Sequence, residues 1–344
     1  MRALRYHGTK DLRVEHDVPE PKCGDNQIKV KPAFVGICGT DLHEYSSATF
    51  IPTKENPHPV TKESMPVTIG HEFSGTVLEI GSKVQTDIKV GDKVAVQPTI
   101  ACFECGACKD GLINCCDSAG FIGLSGGGGG LSDAVCAGAE FVFKLPPNID
   151  LDIGVEAAGI QKGDDAVVMG AGPIGLGVIQ CLKAEGANKI IVAEVAKERQ
   201  NFAKHFGATH ILDPRHEDVV AKCKELTGGQ GPQIALDCAG VAASVKTACL
   251  AVRANGRIVN VAIWEKEVPF NPNNVVFGEK KYSGVLGYLQ KDYRGVIDAL
   301  GSGALKPEKM ITGKIAIDRV VEDGFEPLIN EKEKHVKILV DLSK

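Results

Sequence analysis

A chain of 344 residues is long enough for two domains rather than one. With 43% hydrophobic and 24% charged residues it can build ordinary cores, and a net charge of −5 without a basic block gives no reason to expect nucleic acid or an anionic membrane as partner. No apolar run reaches the ~18 residues of a membrane span, and Met1–Tyr6 reads as a first strand rather than a signal core, so a cytoplasmic protein is expected. Residues 1 to about 150 then read as β-rich. Gln27–Val35 and Ser74–Gly81 alternate polar and apolar residues, as half-buried strands do, and Val90–Val96 is a turn followed by a strand. Pro52, Pro57, Pro59 and Pro66 mark a loop. Ser125–Gly130 holds five consecutive glycines and reads as a loop, with disorder at its tip as the alternative.

After Gly163 the pattern changes. Ala166–Met169, Lys189–Ala193, His210–Leu212, Gln233–Asp237 and Gly256–Val261 are short apolar strands. Helical segments at 174–185, 197–206, 219–226 and 245–251 separate them. Such alternation indicates a parallel doubly wound sheet, an α/β architecture. The tail adds a helix at about 292–300 and strands at 311–317 and 334–340.

Twelve cysteines without a secretory signal imply reduced thiols, and their spacing points to metal rather than disulfides. Cys102, Cys105, Cys108 and Cys116 form C-x2-C-x2-C-x7-C, enough thiolates for a closed, structural zinc site. The neighbouring Cys115 leaves the fourth ligand open. Further upstream, Cys38, Thr40 and His43 place a thiol, a hydroxyl and an imidazole within one short run, and His71-Glu72 follows downstream. A thiolate, an imidazole and a carboxylate suit a catalytic zinc with one position left open. The alternative is a buried Cys38 acting as a small hydrophobe, with His71 and Glu72 paired on a surface turn.

Gly170-Ala171-Gly172-Pro173-Ile174-Gly175 follows a strand and opens a helix, the context in which Gly-x-Gly-x-x-Gly binds a dinucleotide. The helix N-terminus offers free N–H groups to a pyrophosphate. Glu194 ends the next strand, where an acid bonds ribose hydroxyls and repels a 2′-phosphate, so NAD is expected over NADP. Lys197 and Arg199 lie near enough to weaken that preference.

In this order the three constellations resemble the zinc-dependent medium-chain alcohol and polyol dehydrogenases over essentially the whole chain. The runs Val35–Tyr45, Gly70–Val77, Gly111–Cys116, Asn260–Glu265 and Asp318–Phe325 carry the likeness. The resemblance implies a GroES-like β-barrel catalytic domain of residues 1–155 and 290–344 around a Rossmann NAD-binding domain of 156–289. It implies one catalytic zinc on Cys38, His71 and Glu72, one structural zinc on Cys102, Cys105, Cys108 and Cys116, and a proton relay through Thr40 and His43. Gly170, Gly172, Pro173, Ile174, Gly175 and Glu194 would hold NAD, with Val261, Ile263, Val285 and Gly287 near the nicotinamide. The implied substrate is a small secondary alcohol, a vicinal diol or acyloin of the 2,3-butanediol/acetoin kind, with a sorbitol- or xylitol-type polyol as the alternative. The implied assembly is a homo-oligomer, dimer or tetramer. Phe50, Phe121 and Trp264 are candidates for a pocket wall or for core.

The chain departs from the family in one place. Relatives open an interdomain helix with a Val-Glu-Pro-Leu-like run whose Glu reaches the catalytic zinc. Here Asp152–Glu156 runs straight into Ala157–Gly163, roughly a dozen residues or ~18 Å of helix short. Glu156 is either that acid brought forward or the residue that happens to precede the second domain. If the loss spoils the spacing, the chain is a catalytically impaired binder of NAD and zinc.

Overall fold

The computed structural model describes residues 1–47, 49–147, 162–264, 266–331 and 333–344. The chain divides into two compact units, one of Met1–Val155, Tyr288–Gly303 and Pro307–Lys344, the other of Glu156–Gly287 and Ala304–Lys306.

The first unit starts with a hairpin of β1 (Ala3–Gly8) and β2 (Asp11–Glu15), with β4 (Val67–Thr68) on the other side of β1. Its main sheet is built on β3 (Gln27–Gly36), where Ile28, Val30 and Val35 are fully buried and Lys29 and Lys31 alternate with them. β3 pairs antiparallel with β5 (Glu72–Ile80), and the register slips at Pro32, which has no N–H to give a ladder. Helix α1 (Gly39–Ser47) follows β3 after a two-residue break. Next come β6 (Lys93–Val96), β7 (Thr99–Ile100) and β8 (Gly120–Phe121). β7 and β8 pair with each other and form the base of a lobe that carries the one-turn helix α2 (Gly106–Lys109). β9 (Val135–Gly138) pairs with β3, and β10 (Val142–Lys144) with β6.

The Ser125–Gly130 run is a loop, as read, and it is packed rather than loose. Gly126, Gly127 and Gly128 have φ near +91°, +72° and +82°, which the absence of a side chain permits. A Cβ on Gly130 would stand 2.7 Å from the Phe73 ring, and Gly130 N–H donates to Gly70 O at 2.7 Å. The glycines therefore brace the strand entry that carries His71 and Glu72.

The second unit holds β11 (Asp165–Met169), α3 (Pro173–Ala184), β12 (Lys189–Ala193), α4 (Lys197–Phe206), β13 (His210–Leu212), α5 (Val219–Leu226), β14 (Ile234–Asp237), α6 (Ala242–Ala251), β15 (Arg257–Asn260), α7 (Asn273–Val276) and β16 (Lys281–Gly284). All strand pairs are parallel, in the order β13-β12-β11-β14-β15-β16. This 3-2-1-4-5-6 order places the topological switch between β11 and β14. Ala166, Val167 and Val168 are fully buried because helices cover both faces of the sheet, which explains the unbroken apolar runs. β16 escaped the sequence reading: it is short, and all four of its residues are exposed.

The chain then returns to the first unit with α8 (Gln290–Gly301), β17 (Ile311–Ala316) and β18 (Lys337–Asp341). β18 pairs parallel with β17 and antiparallel with β3, bringing the C-terminal strand beside Phe34–Gly36. Among the described residues no helix is long and apolar enough to cross a membrane.

Candidate metal centre and cofactor turn

Cys38 lies in the break between β3 and α1, and His71 and Glu72 lie at the entry to β5, the strand paired with β3. The ladder between these strands sets Gly36 opposite Glu72, so residues distant in sequence converge. Ligand atoms of Cys38, His71 and Glu72 all fall within 4.8 Å of one another. The reading of His71 and Glu72 as a surface pair is thereby excluded: His71 is 8% exposed and Glu72 turns toward other partners.

Two residues to which the sequence reading gave no role complete this group. Asp41, 3% exposed, accepts the Cys38 N–H through Oδ2 at 2.9 Å, and its Oδ1 lies 3.3 Å from His71 Nδ1. One carboxylate thus fixes the loop of one ligand and faces the ring of another, the usual support for a metal-bound histidine. Lys337, from β18, donates to Glu72 Oε2 at 2.6 Å and to Ile37 O at 3.3 Å. Its only local signal was a lone lysine inside the apolar run Val336–Val340.

The electrostatics call for a cation. Burial opposes a charge on His71, but Asp41 and then Cys38 outweigh it and lift its pKa well above the ordinary value. Burial likewise opposes a charge on Glu72, and Lys337, followed by His71, overcomes this and lowers its pKa. A histidine driven to take a proton in this way marks a place where a metal ion can replace that proton. Glu72 and Lys337 keep 21% and 15% of their side-chain surface open, as a site with one exchangeable position needs.

The four-cysteine cluster is local. A tetrahedron of Zn–S bonds near 2.3 Å has sulfur–sulfur edges of about 3.8 Å. Cys102 and Cys116 sulfurs lie 3.5 Å apart, and those of Cys105 and Cys116 lie 4.0 Å apart. Backbone N–H groups aim at the sulfurs: Cys105 and Glu104 at Cys102, and Cys102 and Ser118 at Cys116, at 3.3–3.5 Å. The Asp117 N–H is the largest cause that brings the Cys105 thiol down to about 6, whereas burial and then the Cys105 sulfur push Cys108 up to about 12. Four crowded thiols cannot all ionise without a cation among them. Cys116 belongs to the cluster and Cys115 is exposed outside it, which settles the fourth ligand. All twelve cysteines are free of disulfides.

Thr40 and His43 share one face of α1, three residues apart. Thr40 Oγ1 lies 3.8 Å from Cys38 Sγ, and His43 is exposed. Phe121 packs near the metal group, its ring centroid 6.2 Å from that of His71. Phe50 is 57% exposed, and Trp264 packs on the core of the second unit, its Nε1 donating to Asn260 Oδ1 at 2.8 Å. Glu156 lies outside the described residues, as does the shortened connection from Asp152 to Gln161.

In the second unit the glycine turn joins β11 to α3 at the switch point. A Cβ on Gly175 would stand 2.1 Å from Gly170 O, so only glycine lets the helix close on the turn. Among the described residues, a Cβ on Gly172 would meet only Arg199 Nη1, at 3.9 Å, which leaves the space a pyrophosphate needs. Pro173 fills the first helical position, and Ile174 is 55% exposed. Glu194, 6% exposed, accepts from Ala171 N–H through Oε2 at 2.7 Å and from Ala196 N–H through Oε1 at 2.8 Å. Each oxygen retains capacity for a further donor such as a ribose hydroxyl. Ile263 and Val285 are 68% and 45% exposed; Val261 is half-buried, and Gly287 has φ near +51°.

A doubly wound sheet with an open glycine turn, joined in one chain to a Cys-His-Glu group and a four-thiolate lobe, defines a zinc- and dinucleotide-binding oxidoreductase. Family models agree: residues 24–147 match the alcohol dehydrogenase GroES-like domain and residues 173–302 the zinc-binding dehydrogenase domain. The chain belongs to the zinc-dependent alcohol dehydrogenase family, and the family's cofactors, zinc and NAD(P), are those its residues fit. It is 41% identical over 354 aligned positions to (R,R)-butanediol dehydrogenase of Bacillus subtilis (strain 168), covering 99% of both chains. It is 38% identical to the (R,R)-butanediol dehydrogenase of Neisseria gonorrhoeae, again over 99% of both. The crystal structure of 2R,3R-butanediol dehydrogenase from Bacillus subtilis superposes with a TM-score of 0.90 at 40% identity over 99% of both chains.

Proposed function

We propose that this dehydrogenase oxidises a vicinal diol to the hydroxyketone, and reduces the hydroxyketone in return, with NAD as the preferred nucleotide. The observation that carries this reading is the Cys38–His71–Glu72 group, in a chain that matches (R,R)-butanediol dehydrogenases along their whole length. A zinc ion held by these three residues supplies the Lewis acidity that lowers the pKa of an alcohol hydroxyl. The protein's own residues do the rest. Asp41 holds the His71 ring, and Lys337 keeps Glu72 ionised and aimed. Thr40 Oγ1, beside the Cys38 sulfur, accepts the substrate's hydroxyl proton as it gives up its own, which would pass by way of the nucleotide's ribose hydroxyl to exposed His43 and on to water. The N–H groups at the start of α3 hold the pyrophosphate, and Glu194 accepts the ribose hydroxyls and turns away a 2′-phosphate. Hydride transfer then needs the reacting carbons ~3–3.5 Å apart.

The finer assignments of partner and place belong to the same reading. The outer edge of β16 pairs with no strand among the described residues, and Val276, Phe277, Tyr282, Val285 and Leu286 around it are 43–86% exposed. An open edge with apolar neighbours supports a homo-oligomer. Both thiolate sites require reduced cysteines, which supports the cytosol.

A second reading, an impaired enzyme that still binds zinc and NAD, draws on alignment length. The best-matched relative named above aligns over 354 positions, ten more than this chain has residues, so part of it has no counterpart here. One panel tests both readings. Initial rates with NAD+ and NADP+ are measured on (R,R)-, (S,S)- and meso-2,3-butanediol, sorbitol and xylitol. The proposal expects kcat/KM for one butanediol isomer at least about tenfold above the polyols, and NAD+ above NADP+. A polyol preference overturns the substrate, and no turnover with bound zinc and NADH favours the impaired enzyme.

A further inference from the structure

Asp237 is a buried acid that the mechanism above does not use. Asp237 ends β14 at the switch point and is fully buried. Its Oδ1 accepts from Ala239 N–H at 3.1 Å and Gly240 N–H at 3.3 Å. Its backbone carbonyl accepts from Val261 N–H at 2.9 Å and Ala262 N–H at 3.0 Å, the turn that follows β15. Its Oδ2 is buried without a hydrogen-bond partner.

The two turns tied to Asp237 touch the cofactor turn and each other. A Cβ on Gly170 would stand 3.1 Å from the Ala239 methyl, and one on Gly240 would stand 2.9 Å from the Ala262 methyl. Cys238 N–H donates to Met169 O at 3.0 Å, and the Cys238 Cβ lies 3.7 Å from where a Gly175 Cβ would be. Three segments at the carboxyl edge of the parallel sheet, after β11, β14 and β15, are thus locked through one residue. That edge is where open α/β sheets bind their ligands.

We propose that Asp237 is a positioning residue for the dinucleotide. Its carboxylate shapes the 239–240 turn so that Ala239 backs the glycine turn in its binding form, while its backbone carbonyl, which any residue would supply, holds the 261–262 turn. This rests on the NAD(P)-binding reading and adds the residue that pre-organises it. Without the Asp237 carboxylate the 239–240 turn must be ordered by the cofactor itself, and affinity drops by the cost of that ordering.

The test is NADH binding by fluorescence titration, beside kcat, the KM for the alcohol and zinc content, on Asp237→Ala, Asp237→Asn and Ala239→Val. Asp237→Ala should weaken NADH about tenfold, the loss expected for two ordinary buried hydrogen bonds, with alcohol KM and zinc content unchanged. Asp237→Asn keeps the Oδ1 acceptor and should recover most of that affinity. Ala239→Val leaves the acid in place and presses on Gly170, so it should weaken NADH as well, which keeps the proposal testable where Asp237→Ala fails to fold. Wild-type affinity in Asp237→Ala, or in Ala239→Val, overturns the proposal. So does a loss of NADH binding in Asp237→Ala that only follows the unfolded fraction. A wild-type protein that binds zinc but neither NADH nor NADPH overturns the cofactor reading itself, and Asp237 with it.

Discussion

The two metal sites of the first unit are built in opposite ways. The four-thiolate lobe draws all its ligands from Cys102 to Cys116, and the lobe's own backbone N–H groups donate to their sulfurs. The Cys38–His71–Glu72 group draws on the end of β3, the start of β5, a capping acid on α1 and a lysine on the final strand, 265 residues from its partner. A local site depends on its metal for the shape of its loop. A site hung on a sheet has its shape already and uses the metal for chemistry. That difference predicts how each one fails.

The largest effect should come from Cys38→Ser. The strands that present the site remain paired without a metal, so the fold should survive while turnover falls at least about a thousandfold, a loss of several kcal/mol of transition-state stabilisation. Steady-state rates beside a thermal melt check this; a melting temperature that falls by about 10 °C or more, as expected for loss of a structural zinc, would mean that the sheet does not hold the site. Cys105→Ser should do the reverse. Melting temperature should drop by about 10 °C or more because structural zinc binding is coupled to folding, and the protein that stays folded should keep most of its kcat.

Lys337→Met sharpens the contrast by removing a support rather than a ligand. In zinc-free protein Lys337 is the strong cation at Glu72, so the variant leaves a buried carboxylate poorly paired, at a cost of about 3 kcal/mol. With zinc bound, the metal remains a partner for Glu72 and the cost should be smaller. Urea unfolding with and without chelator measures both, and equal losses would show that Lys337 only packs. Lys337→Arg should restore the pairing. The smallest effect is expected in the other unit: Glu194→Ser should weaken NAD about tenfold and narrow its advantage over NADP. An unchanged ratio in competitive rates would show that Glu194 serves the turn alone.

The contrast also explains what could be read from the chain. Cys102, Cys105, Cys108 and Cys116 announce themselves because a loop site keeps its ligands close in sequence. Gly170–Gly175 does so because close approach leaves only glycine at fixed steps. The apolar strands of the second unit were legible because both faces of the sheet are covered. Lys337 was not legible, since strand pairing alone brings β18 beside β3. Asp41 lay inside a motif already singled out, but its double duty toward Cys38 and His71 needs the third dimension. β16 was missed because a short exposed edge carries no hydrophobic pattern. The glycine run at 126–130 left disorder open until its contact with Phe73 showed it as packing.

Zinc stoichiometry tests the central claim most directly. Wild type, Cys38→Ser and Cys105→Ser are purified under reducing conditions, and zinc per folded chain is measured by atomic absorption. Two independent sites predict about two zincs in wild type and about one in each variant. The remaining zinc in Cys38→Ser should resist chelator, and that in Cys105→Ser should leave more readily through its open position. One zinc in wild type, or two in either variant, would contradict the account.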